Sequence, residues 1–156
     1  MKIAAIETFV IEFPFRTAFV LAGGVAGRPG TPSPRVLVRL EAEGGHVGWG
    51  EATPTPRWTY ETTETIVSTI LKYLAPAVIG LDLWDFDALH HAMERAIAPG
   101  GTIGSPLAKS AIDVAAHDAL GHALGLSVCA LLGGRRPTRF DLSWMVSVAD
   151  PADATK

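Results

Sequence analysis

The hydrophobic pattern of this chain changes period near Ala52, and a stretch written with a helical period does not settle as a strand, nor the reverse. Upstream of that point the period is two. Over residues 2–13, Ile3, Ala5, Phe9, Ile11 and Phe13 share one parity, which predicts a half-buried strand ending at Pro14. Residues 35–42 set Val36, Val38 and Leu40 against Leu37, Arg39 and Glu41, and Glu43-Gly44-Gly45 turns this strand back into residues 46–52. Downstream the period becomes helical. Ile66, Ile70 and Leu74 predict a helix from Thr62 or Thr63 that Ala75-Pro76 closes. Phe86, Leu89, Met93 and Ile97 line one face of a second helix over 83–97.

Ser105-Pro106 starts a third helix, with the Ser105 hydroxyl expected to accept from a free backbone N–H and Pro106 prearranged for the first turn. Ala108, Ala111, Ala115, Ala116, Ala119, Gly121 and Ala123 make this helix thin, so neighbouring elements can approach it closely. Gly125 is placed to end it in a left-handed cap. A short helix over 128–132 follows and stops at Gly133-Gly134. Residues 140–147 alternate Phe140, Leu142, Trp144 and Val146 with Asp141, Ser143, Met145 and Ser147, which predicts a further strand, and Asp150-Pro151 begins another helix. The order predicts an α+β class: a three-stranded antiparallel meander, then a helical bundle, then the first piece of an α/β unit.

Composition narrows the function classes. The chain is 48% hydrophobic and 19% charged, which provides for a core and excludes disorder. Its net charge is -3, with Lys and Arg scattered, so nucleic acid is not an expected partner. A single cysteine, Cys129, excludes an internal disulfide framework and is expected as a small buried hydrophobe. No apolar run approaches the ~20 residues a membrane span needs, and the opening lacks the apolar stretch of a signal peptide, so no membrane partner and a cytoplasmic location are expected.

Ser110-Ala111-Ile112-Asp113-Val114-Ala115-Ala116-His117-Asp118-Ala119-Leu120-Gly121-His122, with Ser127-Val128-Cys129-Ala130-Leu131-Leu132-Gly133-Gly134, resembles the signature of the mandelate racemase and muconate lactonizing family of the enolase superfamily. Gly48-Trp49-Gly50-Glu51-Ala52-Thr53 and Leu74-Ala75-Pro76-Ala77-Val78-Ile79-Gly80 follow the family order. His122 departs from it, standing where the family usually has Lys, Arg or Gln. The resemblance implies a capping domain over residues 1–134 and the start of a truncated TIM-type barrel over 135–156, with 140–147 as its first strand. It implies an enzyme that removes a proton α to a substrate carboxylate and holds the enediolate on Mg2+. The family's Lys-x-Lys motif, acidic metal ligands and further base would all lie after Lys156, so no catalytic or metal-ligating residue is expected in this chain.

The resemblance also implies that the cap closes over the barrel mouth and meets a small carboxylate substrate through two loops, at 15–34 and 53–60. In those loops Arg16 and Arg57 suit an anionic end, and Phe19, Trp58 and Tyr60 an apolar body. The implied partners are the chain's own missing barrel and further copies in a homo-oligomer. Gly50-Glu51-Ala52-Thr53 and Ser143-Trp144-Met145-Val146 stand nearer the muconate lactonizing subgroup than the sugar-acid dehydratases. Dehydration and dipeptide epimerization are the alternatives within the family. A stand-alone binding module or a nonfunctional remnant is the alternative outside it.

Other constellations read as structural. His90-His91-x-x-Glu94 and Asp113-x-x-x-His117-Asp118-x-x-x-His122 have the spacing of a solvated helix face as much as of metal ligands. The glycine-rich run 100–105 lacks the lysine of a phosphate loop. Glu51 is a buried-carboxylate candidate whose simpler role is to anchor the neighbouring loop. Trp49, Trp84, Trp144, Met93 and Met145 are expected in the core.

Overall fold

The structure is a computed structural model that describes residues 1–21, 24–56, 58–100, 104–134, 139, 141 and 142. Strands β1 (Ile3–Pro14), β4 (Pro32–Ala42) and β5 (His46–Ala52) form one antiparallel sheet in the order β1-β4-β5. Gly44 and Gly45, at φ 91° and 80°, make the tight β4–β5 turn, a backbone that side-chain-bearing residues rarely adopt. The expected meander is therefore present, with one interruption. Residues 15–34, read as a loop, contain a small hairpin of β2 (Phe19–Leu21) and β3 (Gly24–Gly27), and β4 begins at Pro32 instead of Arg35. Glycines and prolines masked the short strands, because both break a period-two pattern.

The face that β1 buries also differs from expectation. Its pairing with β4 shifts register between Ile3 and Ala5, and an extra residue in a strand reverses the parity of everything beyond it. Ile3 and Ile6 are consequently buried, while Phe9 and Phe13 stand on the outer face.

Helices cover the other face. The first runs as α1 (Thr63–Thr69), a π-helical turn at Ile70–Leu74 and α2 (Ala75–Val78). Ala75-Pro76 does not close it. Proline removes an N–H and crowds the carbonyl four residues earlier, and here the backbone widens instead, with the Ala75 N–H reaching the Ile70 carbonyl. Ile66, Ile70, Leu74 and Val78 stay on one buried stripe through the widened turn. Residues 80–83 then clasp the start of β1: the Ile3 N–H donates to the Leu81 carbonyl at 2.9 Å and the Gly80 N–H to the Ile3 carbonyl at 2.8 Å.

Helix α3 (Phe86–Ala96) starts after Asp85, whose carboxylate accepts from the Ala88 N–H, so Leu83 joins the core without being helical. Its Leu89 and Met93 are buried, as the periodicity predicts. Helix α4 (Pro106–Leu124) ends at Gly125 in the expected left-handed conformation, φ 66°. The short α5 (Val128–Leu131) follows.

Helix α4 packs directly on β5. A Cβ at Gly50 would land on the Ala111 carbonyl oxygen, and one at Gly48 on the Ala115 carbonyl and the Ala119 amide nitrogen. Alanines on one element and glycines on the other let the two backbones touch, as the thin helix implied. Trp49 and Trp84 are exposed, not core, because Trp49 leaves the edge strand β5 on the side opposite those two glycines and Trp84 sits in the clasp before α3. Cys129 is half-buried on its short helix, not fully enclosed. The strand expected over 140–147, apart from Asp141 and Leu142, lies outside the described residues, as do Trp144, Met145 and the helix start at Asp150.

Candidate functional site at one end of the sheet

Strand register gathers both candidate loops. Pro14 pairs with Pro32 and Val36 with Ala52, so β1 ends, β4 begins and β5 ends at the same edge of the sheet. The hairpin insertion and the 53–62 connection leave from that edge. The contact of Gly50 with Ala111 and of Gly48 with Ala119 shows that α4 runs antiparallel to β5, which brings the start of α4 to the same end.

The roots of the two loops are tied by one ion pair. Arg35 Nε lies 3.0 Å from Glu51 Oε1, while Arg35 Nη1 donates to the Ser33 hydroxyl at 2.6 Å and to the Pro34 carbonyl at 2.9 Å. The Thr53 hydroxyl donates to the same Glu51 oxygen at 3.0 Å. Glu51 is therefore half-exposed, contrary to its candidacy as a buried carboxylate, and it anchors the loop as its simpler role required.

The 53–60 turn is internally bonded. The N–H groups of Trp58 and Thr59 both donate to the Thr55 carbonyl, at 2.7 and 2.6 Å. The Thr59 hydroxyl accepts from the Thr55 N–H and donates to the Glu61 carbonyl. This arrangement presents Trp58, 72% exposed, and Tyr60, 64% exposed, on its outside. Arg16 sits in the exposed bend after β1, and among the described residues no carboxylate pairs with it. Phe19 opens β2 opposite Gly27 and is partly exposed. Arg57 lies outside the described residues.

Sequence reasoning missed Glu61. It is 4% exposed, and its carboxylate accepts from the Leu107 N–H at 2.7 Å and the Ala108 N–H at 3.3 Å, the first free donors of α4. Ser105 makes no such bond; it takes a left-handed backbone, φ 49°, and leaves the helix start to a side chain far away in sequence. The α4 N-terminus thus already holds an anion, which fills the place a phosphate beside the glycine-rich run would take. Next to Glu61, Thr62 caps α1 in a reciprocal pair with Thr65 and donates to Glu64, which holds the Glu64 carboxyl below its ordinary range.

The histidine clusters are engaged structurally. His90 Nε2 meets Asp113 Oδ1 at 2.6 Å, and His117 donates from Nδ1 to the Asp113 carbonyl while its ring stacks on Phe86 at 3.9 Å. Asp118 accepts from the Trp49 N–H at 2.8 Å, and His122 donates from Nδ1 to the Val47 carbonyl at 2.9 Å. Among the described residues no three His, Cys, Asp or Glu side chains are grouped to hold a metal ion, and no helix is long and apolar enough to cross a membrane.

Residues 6–133 match the family described as mandelate racemase / muconate lactonizing enzyme, N-terminal domain. This chain belongs to that family. It is 34% identical to the N-succinyl-L-Arg/Lys racemase of Bacillus cereus over 151 residues, 97% of this chain and 38% of the racemase. The crystal structure of that racemase superposes with a TM-score of 0.85 at 33% identity, over 99% of this chain and 39% of the other. A chloromuconate cycloisomerase of Pseudomonas sp. strain P51 is 34% identical over 97% of this chain and 39% of its own length. A dipeptide epimerase of Enterococcus faecalis, solved with Mg and the dipeptide L-Leu-L-Tyr, has a TM-score of 0.72 at 31% identity, over 86% of this chain and 35% of the other. The chain thus spans less than two fifths of the length of these relatives and corresponds to their cap.

Proposed function

We propose that this chain is the lid and specificity part of a metal-dependent isomerase that abstracts a proton α to a substrate carboxylate, either muconate cycloisomerase-like or a racemase. In this reading residues 1–134 form the cap and 135–156 begin the barrel. The observation that carries it is the joint placement of both loops at one sheet end, with roots tied through Arg35 and Glu51 and with exposed Arg16, Phe19, Trp58 and Tyr60 on them. A guanidinium that no carboxylate pairs with among the described residues suits an anionic substrate group, and exposed aromatics suit an apolar body.

Mg2+ supplies charge stabilisation of an enediolate when bound. The described residues do not fit it: they offer no grouped ligands, and Glu7, Glu41 and Glu51 are taken by arginines. This chain's own work is to cover the reacting centre, exclude water and orient the distal part of the substrate. A racemase or epimerase of N-acylated amino acids or dipeptides is the second reading, favoured by the likeness to the B. cereus racemase over nearly the whole chain.

The test is to translate the source reading frame past Lys156 and assay the product with Mg2+ against cis,cis-muconate, N-succinyl amino acids and dipeptides. A frame that continues into Lys-x-Lys and spaced acidic residues, with turnover of one class, supports the proposal and chooses between its readings. A stop codon with no partner chain that restores turnover overturns it in favour of a binding module or a remnant.

A further inference from the structure

Burying a carboxylate is costly unless strong donors meet it, so a buried charge in a small domain marks a place where geometry is being fixed. Glu61 is the buried charged side chain among the described residues. Its two donors, the N–H groups of Leu107 and Ala108, belong to α4, the longest helix and the one whose backbone lies against β5. Its main-chain carbonyl accepts from the Thr59 hydroxyl, and that hydroxyl in turn accepts from the Thr55 N–H. A continuous hydrogen-bonded path therefore runs from the first turn of α4, through Glu61, into the turn that displays Trp58 and Tyr60. Thr62, the next residue, fixes the start of α1. One dipeptide holds the turn against two helices.

Ser105 strengthens this assignment. A serine directly before a helix usually supplies the cap itself, yet here it is held left-handed with its hydroxyl out of the helix start. The cap of α4 has been handed to a residue that is itself hydrogen-bonded to the turn.

We propose that Glu61 is the positioning residue of the 53–60 turn: its carboxylate, bound to the α4 N-terminus, sets where Trp58 and Tyr60 stand. The proposal rests on the reading of that turn as a substrate-contacting loop. Its structural content is independent of substrate. Loss of the carboxylate frees the turn from α4 while the sheet and the buried stripe of α4 persist.

The test uses the whole chain with Trp49, Trp84 and Trp144 changed to Phe, so that Trp58 reports alone, and compares Glu61→Ala, Glu61→Gln and Thr62→Ala by amide hydrogen exchange and Trp58 fluorescence anisotropy. Glu61→Ala is expected to speed exchange at Leu107, Ala108, Trp58 and Thr59 by about tenfold or more, as loss of a charge-assisted hydrogen bond implies. The amides of Leu40 and Ile112 stay protected, and the Trp58 anisotropy falls. Glu61→Gln keeps an acceptor oxygen and recovers part of both signals. Thr62→Ala, which frays α1 alone, leaves Leu107 and Ala108 unchanged.

If Glu61→Ala accelerates exchange only at Leu107 and Ala108, or equally throughout the chain, Glu61 is a helix cap or a general stabiliser and the proposal is overturned. Should Glu61→Ala not fold, Glu61→Gln with wild-type Trp58 anisotropy and turn exchange overturns it as well. Neither readout needs substrate. A loosened turn in a chain whose parent turns over no carboxylate substrate removes the functional reading and leaves this one standing.

Discussion

The N–H of Trp49 and the carbonyl of Val47 face away from β4 on the sheet's edge strand, where unpaired backbone invites another chain. Asp118 and His122, one helical turn apart on α4, meet that N–H and that carbonyl. Asp118→Ala is expected to lower stability by about 1 kcal/mol, below the roughly 1.5–3 kcal/mol of a buried charge-assisted bond because Asp118 is partly exposed and water can replace it. Urea unfolding of the two chains measures this, and an unchanged midpoint would show the bond to be dispensable. Asp82 offers a pH test. Its carboxyl is held below the ordinary 3.8, first by the Trp84 N–H and then by the terminal ammonium. A depressed folded-state value means stability present above 3.8 and lost as pH falls through the folded value. The melting temperature of Asp82→Asn should therefore lie below wild type at neutral pH and converge with it in acid. At this scale the sequence was legible where a residue acts on its own helix, as with Gly125. It was opaque where partners are distant, as with Glu61 and α4, since no local spacing reports a bond across 46 residues.

Among the elements, the α4–β5 contact decides the fold's tolerance. Gly50 has no room for a methyl group, since the obstacle is the Ala111 backbone carbonyl and not a side chain that can rotate. Gly50→Ala should cost about 3 kcal/mol, the upper range for overpacking, and Gly45→Ala in the open β4–β5 turn should cost less, its penalty coming only from positive φ. Thermal melts of the pair separate the two causes, and equal losses would refute the close-approach account. The alanine pattern of α4 made this contact readable in advance. Two other elements were misread for definite reasons. The bulge near Ala4 reversed the parity of β1, and parity counting assumes an unbroken register. Pro76 predicts a stop, but the π-turn before it absorbs the clash, so the helix continues to Val78.

Over the whole molecule, apolar side chains that the core does not use form a connected band. Phe13 and Phe9 lie on the outer sheet face, and the Phe9 ring stands 5.8 Å from that of Trp49. Trp49 also lines a cleft of about 420 Å³ with Val114, Val128 and Leu132. Isolated exposed apolar residues are ordinary on soluble proteins; a connected run of this kind is characteristic of surface that another body covers. The Arg35–Glu51 and Glu7–Arg39–Glu41 ion pairs share that sheet face and interrupt the band without removing the contact of Phe9 with Trp49. The purified chain is therefore expected to self-associate, with its light-scattering mass rising above 16.5 kDa as concentration increases. Phe9→Glu and Leu132→Glu together should return it toward that mass, because a charge on each side of Trp49 cannot be buried without a partner. A wild-type chain that holds 16.5 kDa at every concentration would mean that the band is tolerated by water, and that nothing need cover this face.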